Sequence, residues 1–337
     1  MSQNCPDKNL EDFRYDSKLF NQAYKAGLKA KEFEKENKRK RTLRMIIFSS
    51  FVVLLFFLMI FLINSPLFKK ANYLKLNIAE ASLSYPPNSN EPSSISSNDF
   101  DPQFIDCKSV IYANLDTGYI LYGKNIDEKL YIASLSKLMT ALISLQNYDL
   151  DEIVEVKEDW YMQEDIGWSL ELDKGDKVTV ETLLKAMLIS SYNDASYILA
   201  NYMDGGVEVF VKEMNKYARE LGLTNTEFNN PSGLDNDGGN MSSARDLYKL
   251  ATIIYRNDFI MDTITRSYAD LTWDIGKDRI YTTNALLGEY GNIAGKTGYT
   301  ENAGECFLGI TKDGYVTIVL GSEDRFGDTE RLLLKVK

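Results

Sequence analysis

The sequence predicts an α/β chain of the α+β kind: one antiparallel sheet with a helical lobe, behind an N-terminal membrane segment. Three observations point there. Strand-like runs lie at both ends of the C-terminal part, with amphipathic helical runs between them. Residues 45–63 form a long uncharged stretch. The composition, 44% hydrophobic and 26% charged over 337 residues, is that of a chain able to pack a core.

Taken in order, residues 1–44 hold 12 Lys/Arg against 7 Asp/Glu, a net of +5. Within them Phe13, Phe20, Tyr24 and Leu28 make a weak apolar stripe, which suits a solvated or membrane-surface helix and, less readily, a partner-binding one. Residues 45–63, MIIFSSFVVLLFFLMIFLI, contain no charge and only two serines. At helical rise they span about 28 Å, close to the roughly 30 Å of a bilayer's hydrocarbon. A cleaved signal peptide is the alternative, but a 44-residue leader precedes the stretch and no small-residue cleavage site follows closely. An uncleaved transmembrane helix is therefore expected. KRKRTLR at 38–44 places the N-terminus in the cytoplasm and residues 64–337 outside. Residues 64–103 read as an extracytoplasmic linker, because 83–103, LSYPPNSNEPSSISSNDFDPQ, is a Ser/Pro/Asn-rich tether that cannot build a core.

The globular part is expected over 104–337. KSVIYANLDTGYILYGKN reads as two strands about a turn at Asp116-Thr117-Gly118. ASLSKLMTALI, from Ala133, has apolar residues at 135, 138, 139 and 142 and reads as a buried helix. Residues 180–189 form a second helix with Thr179 as N-cap, and 193–203 a third, so Ser191-Tyr192-Asn193 sits at a break. Residues 207–221 follow as a helix ended by Gly222, then 243–256, where Ser243 and Asp246 suit a helix start. Strands are expected at 279–284 and 293–299, and in a closing hairpin that turns at Asp313-Gly314.

Composition also excludes. There is no histidine, so a Ser-His-Asp triad, a Cys-His pair and a His-ligated zinc are impossible. With a total of −11 and +5 in residues 1–44, the chain beyond residue 44 carries −16, which argues against nucleic-acid binding. The three cysteines, Cys5, Cys107 and Cys306, have no metal-ligand spacing; Cys107 and Cys306 are left open as a pair or as small core residues.

Three polar signals stand out in the globular part. Ser134 and Lys137 stand at i, i+3 on one helix face. Lys137 either snorkels from the rim of the apolar stripe or serves as the base for a Ser134 nucleophile at a helix N-terminus. Ser191-Tyr192-Asn193, taken alone, is ordinary capping. Lys296-Thr297-Gly298 is not a Walker phosphate loop, since Tyr290 stands where that loop needs glycine. At a strand edge it would offer an ammonium and a hydroxyl to an anion.

Together, at gaps of 57 and 105 residues, the three form the S-x-x-K, S-x-N, K-T-G set of active-site serine penicillin-binding proteins and class A β-lactamases. YIASLSKLMTALI, SSYNDASYILA, MNKYARELGLTNTEFNNPSGLD, MSSARDLYKLA, TTNALL and AGKTGYTENAGECFLG narrow the match, in sequence and in order. Over about 106–325 the chain resembles low-molecular-mass penicillin-binding proteins, the serine D-alanyl-D-alanine carboxypeptidases. The resemblance implies a DD-peptidase/β-lactamase-like fold with a five-stranded sheet. It implies removal of the last D-Ala from peptidoglycan stem peptides through an acyl-enzyme, acylation by β-lactams, and no metal or other cofactor. By that resemblance Ser134 is the nucleophile, Lys137 the general base, Ser191 a proton shuttle and Asn193 an orienting residue. Lys296 and Thr297 hold the substrate carboxylate, Gly298 belongs to the same substrate-binding edge, and the backbone N–H groups of Ser134 and Tyr299 form the oxyanion hole.

Two departures accompany it. Tyr192 stands where these carboxypeptidases commonly have glycine, and the C-terminal β-rich domain and amphipathic anchor of many relatives have no counterpart after Asp328, so the N-terminal helix is expected to take over anchoring. A class A β-lactamase is the nearest rival, with Glu220 and Leu223 approaching its E-x-x-L-N element but Thr224 in the Asn position. A non-catalytic β-lactam sensor or scaffold is the other.

Overall fold

The computed structural model describes residues 105–335. The basic tail 1–44, the apolar stretch 45–63 and the tether up to 103 lie outside the described residues. Among the described residues no helix is long and apolar enough to cross a membrane.

The first strand, β1 (Cys107–Asn114), turns at the expected place into β2 (Ile120–Lys124). Asn114 makes that turn, its Oδ1 accepting from the backbone N–H groups of Asp116 and Thr117. After the short β3 (Leu130–Tyr131) the chain enters a 3₁₀ turn at Ala133–Ser136, and only then α1 (Lys137–Asn147). The run read as one helix is thus two pieces. Ala133, at φ 47°, is left-handed, which a continuous α-helix from that residue does not permit.

A small pair, β4 (Ile153–Glu155) with β5 (Lys177–Thr179), leads into α2 (Val180–Ile189). Thr179 caps α2 as expected, accepting from Thr182 N–H at 3.1 Å. α3 (Asn193–Tyr202) and α4 (Gly206–Glu220) follow, and Gly222, at φ 65°, ends α4. β6 (Met241–Ser242) pairs with β3. α5 (Ala244–Tyr255) starts at its Ser243 cap, and α6 (Asp258–Ile264) at an Asn257 cap that sequence reading passed over.

The strand expected at 279–284 is β8 (Lys277–Tyr281). It does not join the main sheet but pairs with β7 (Tyr268–Thr272), a strand that sequence reading passed over. β9 (Asn292–Thr300), β10 (Gly304–Thr311) and β11 (Tyr315–Ser322) complete the sheet, whose antiparallel order is β2-β1-β11-β10-β9.

A further expectation is overturned. The chain does not finish on strands: α7 (Arg325–Lys335) follows, and its Leu332 and Leu333 pack with Val110, Tyr112 and Val319 on one sheet face. The alternating residues Ile111 and Ala113 are buried too, and α5 contacts β1 and β11, so both faces of the central strands are covered. Cys107 and Cys306 are free and buried, and burial lifts their thiols to about 12 and about 11, so they are small core residues and not a disulfide.

Candidate active site

The sheet order leaves β9 at an edge, and the 3₁₀ turn carrying Ser134 packs against it. Gly298 makes the contact possible: a Cβ there would stand 3.0 Å from the Ser134 nitrogen and 3.1 Å from the Ile132 carbonyl oxygen. Behind the turn, Gly233 (φ 90°) lies flush against the Ala133 carbonyl, where any side chain would collide. Two asparagines hold that loop. Asn230 Oδ1 accepts from the Ser232 and Gly233 amides, and Asn240 Oδ1 accepts from the amides of Asn229 and Asn230.

Lys137 is fully buried, so the snorkelling alternative fails. Its Nζ lies 2.8 Å from Ser134 Oγ, 2.6 Å from Asn193 Oδ1 and 2.7 Å from the Ser232 carbonyl oxygen. Asn193 Nδ2 donates to the Ile166 carbonyl at 2.7 Å, which fixes the amide with its oxygen toward Lys137. Two of the three neighbours can therefore only accept. A neutral amine has two N–H donors and one lone pair; the acceptors take the donors, and the lone pair is left facing the Ser134 hydroxyl. Burial, then the charge of Lys296, pushes Lys137 well below the usual lysine range, while Asp194 opposes the shift. The site thus favours the protonation state that can take a proton.

Lys296 is also fully buried. Its Nζ donates to Ser191 Oγ at 2.7 Å and to the Thr297 carbonyl at 2.8 Å. Burial, and secondarily the Arg325 guanidinium, lower it to about 7. Ser191 is held at φ 64°, a left-handed conformation costly for a residue with a side chain, as is that of Ala133 beside Ser134. Thr297 Oγ1 shares a 2.6 Å hydrogen bond with Thr283.

The structure brings together Ser134, Lys137, Ser191, Asn193, Lys296, Thr297 and Gly298. Tyr299 extends from the same edge, its ring exposed and its hydroxyl donating to Glu301. Sequence reading missed four contributors. The Ser232 carbonyl and the Ile166 carbonyl are backbone groups without a residue-type signature. Arg325, whose guanidinium donates to the Gly298 carbonyl at 2.6 Å, opens a helix that was not expected. Asp194 is buried, with its carboxylate accepting from the amides of Leu170, Glu171 and Ala195, which clamps the 166–171 loop to α3. Only Asp194 left a hint, lying beside Asn193.

A buried lysine opposite a half-buried serine, with a second buried lysine across the cleft, suits acyl transfer to serine without imidazole. A family model described as D-alanyl-D-alanine carboxypeptidase matches residues 96–323. The chain is 35% identical over 226 residues to the D-alanyl-D-alanine carboxypeptidase DacF of Bacillus subtilis, covering 64% of this chain and 58% of that protein. It is 33% identical over 249 residues to DacC of Escherichia coli, covering 68% of this chain and 60% of DacC. In both cases it spans less than two thirds of the relative's length. Among solved structures, penicillin-binding protein D2 of Listeria monocytogenes in an ampicillin-bound form is similar at 34% identity and a TM-score of 0.60, covering 69% of this chain and 97% of that one. A D-alanyl-D-alanine carboxypeptidase of Mycobacterium tuberculosis is similar at 29% identity and a TM-score of 0.65, covering 74% and 95%.

Proposed function

The chain belongs to the D-alanyl-D-alanine carboxypeptidase family, and on that premise we propose that it is a serine peptidase removing the terminal D-Ala from peptidoglycan stem pentapeptides. The observation that carries the reading is the Lys137 geometry, with two obligate acceptors and one lone pair aimed at Ser134.

Neutral Lys137 takes the Ser134 proton as Oγ adds to the carbonyl between the two D-alanines. The Ser134 and Tyr299 backbone N–H groups stabilise the oxyanion. The C–N bond then breaks, and the proton held by Lys137 passes through Ser191, which already bonds Lys296, to the leaving amine. Asn193 keeps Lys137 oriented and meets the substrate amide. Lys296 and Thr297, with Gly298 admitting the peptide against the strand, hold the terminal carboxylate. Water adds to the ester as neutral Lys137 takes its proton, and that proton passes to Ser134 Oγ as the shortened peptide leaves. β-Lactams enter by the same acylation, in keeping with the ampicillin-bound relative.

The same reading assigns residues 1–44 to the cytoplasm, 45–63 to a membrane span and 64–103 to a tether, with the catalytic domain outside. Its support is the uncharged length of 45–63 and the basic flank at 38–44. Against a β-lactamase, Glu220 is exposed at the end of α4, while the Ser134–Lys137 pair is enclosed by Asn193 and Ser232.

The test is mass spectrometry on a synthetic pentapeptide ending in D-Ala-D-Ala. The wild type releases one D-Ala and forms a slowly decaying penicillin adduct; Ser134→Ala does neither. Unchanged release from Ser134→Ala refutes the mechanism, and rapid penicillin turnover by the wild type turns the reading to the β-lactamase.

A further inference from the structure

Asp235 ends the run NNPSGLD and stands at the head of a short 3₁₀ turn, Asn236–Gly238. An aspartate in that place ordinarily bonds the backbone just after it. This one does not cap the turn. Its Oδ1 accepts from Thr300 Oγ1 at 2.7 Å and its Oδ2 from the Asn302 amide at 3.1 Å, 65 and 67 residues further along the chain. Thr300 Oγ1 in turn accepts from the Ala303 amide at 3.2 Å, so its hydrogen is free to point at Asp235. Both partners donate, and an ionised carboxylate, which can only accept, satisfies them.

These bonds close a ring around the nucleophile. Thr300 follows Gly298 and Tyr299 on β9. Gly298 abuts the 3₁₀ turn, where its Cβ position lies 3.0 Å from the Ser134 nitrogen. On the far side of that turn the Ala133 carbonyl lies flush against Gly233. Gly233 leads through Leu234 back to Asp235. At the two glycines the ring is held by contact alone; at Asp235 it is held by hydrogen bonds.

The ring spaces two groups that the chemistry needs together. The oxyanion-hole amides come from different elements, Ser134 from the 3₁₀ turn and Tyr299 from β9. Ala133, at φ 47°, is not in a conformation it favours by itself, so the packing around the turn imposes its position. An oxyanion hole is effective only when both donors are fixed where the charge develops. The same 230–235 loop presents the Ser232 carbonyl to Lys137 Nζ at 2.7 Å. A loop free to move against β9 would alter the gap between the amides.

We propose that Asp235 is a positioning residue, clamping the β9–β10 turn to the loop behind Ser134 and thereby setting the spacing of the Ser134 and Tyr299 amides for the tetrahedral intermediate. This rests on the carboxypeptidase reading above. Asp235 acts through the backbone segments it joins and not on the reacting atoms.

The test is D-Ala release per folded molecule, with kcat and KM read separately. Asp235→Ala lowers kcat roughly ten- to a hundred-fold, with KM within about threefold of wild type. Asp235→Asn, which keeps an acceptor for one of the two partners, falls between. Thr300→Val loses part of kcat, and Thr300→Ser, which keeps the hydroxyl, restores most of that loss. The double variant Asp235→Ala, Thr300→Val is no slower than Asp235→Ala alone, because the two remove one contact. A peptidyl boronic acid gives the second readout: its tetrahedral adduct places an oxygen between the two amides, so its affinity falls in step with kcat/KM across the series. An aspartate that merely stabilises the fold would lower the denaturation midpoint and leave kcat and boronate affinity alone. That result, or a Thr300→Ser variant as slow as Thr300→Val, overturns the clamp and leaves the carboxypeptidase intact. Should Asp235→Ala fail to fold, the Thr300 pair decides by itself. A wild type that releases no D-Ala removes the underlying activity, and the clamp's role with it.

Discussion

Two regions of this protein are equally closed to water and built from opposite materials. Beneath α7, Val110, Tyr112, Val319, Leu332 and Leu333 form an apolar layer on the sheet. At the seam between β9 and the helical lobe, the fully buried residues include Lys137, Lys296, Asp194 and Ser232. The first region gains free energy for every methylene it hides; the second must satisfy each polar atom only to avoid loss. Left-handed Ala133 and Ser191, both at the seam, add backbone strain there. Stability is therefore made on one side of the sheet and consumed at its β9 edge.

The sharpest way to break that comparison is to make the seam resemble the core. Lys137→Met fills a similar volume with no titratable group. Activity, read as D-Ala release, is expected to fall by about 10²–10⁴-fold, the worth of a general base. Lys137→Arg should be as inactive, since a guanidinium does not deprotonate. The stability effect depends on pH. The folded value of Lys137 is depressed, so between it and the unfolded value near 10.4 the unfolded chain binds the extra proton. Wild-type stability therefore declines as pH falls through that window, and the Met variant does not share the decline. Denaturant titrations should show the difference shifting toward the variant by up to about 1.4 kcal/mol per pH unit on lowering the pH from 10. A difference independent of pH would mean that Lys137 is charged in the folded protein, and the proposed base would be lost.

The opposite test is Leu332→Ala, which cuts into the apolar layer. It should cost about 2–5 kcal/mol in chemical denaturation and leave kcat/KM per folded molecule unchanged. Loss of activity without loss of stability would mean that the two regions are not separate.

The same contrast explains what the sequence revealed. Periods of 2 and 3.6 exist because apolar side chains must face one way, so the β1–β2 and β10–β11 hairpins and the helices α2 to α5 were legible almost to the residue. α7 was not, because Arg325, Gly327, Asp328 and Arg331 interrupt its apolar face. At the seam, Ser134, Lys137, Ser191, Asn193 and Lys296 were legible through residue type and order. The carbonyls of Ser232 and Ile166 were not, because a backbone acceptor is the same whatever residue bears it.

A smaller perturbation tests how closely the seam is fitted. Gly298→Ala puts a methyl 3.0 Å from the Ser134 nitrogen and 3.1 Å from the Ala133 Cβ. Both neighbours belong to the strained turn, so a few tenths of an ångström must be taken from the nucleophile's own position. Because catalysis is more sensitive to placement than folding is, kcat/KM should fall by roughly ten- to a hundred-fold, with a midpoint in denaturant close to wild type. A variant equally active would show slack at the edge that the packing denies.

The smallest effect expected is on the pH profile, and it separates the two causes acting on Lys296. Burial is the larger and Arg325 the second, and together they bring the ammonium to about 7. Capture of a carboxylate needs Lys296 charged, so kcat/KM of the free enzyme should decline as pH rises through that value. Arg325→Met removes only the second cause. Lys296 then rises, and the alkaline decline moves to higher pH, by no more than about one unit because burial persists. The substitution also frees the Gly298 carbonyl, which costs some rate at every pH, but a loss of that kind lowers the profile without displacing it. Displacement of the alkaline limb thus reports the charge, and depression of the plateau reports the hydrogen bond. An alkaline limb that stays in place would mean that Lys296 is held near 7 by desolvation alone, and that Arg325 acts on the strand and not on the ammonium.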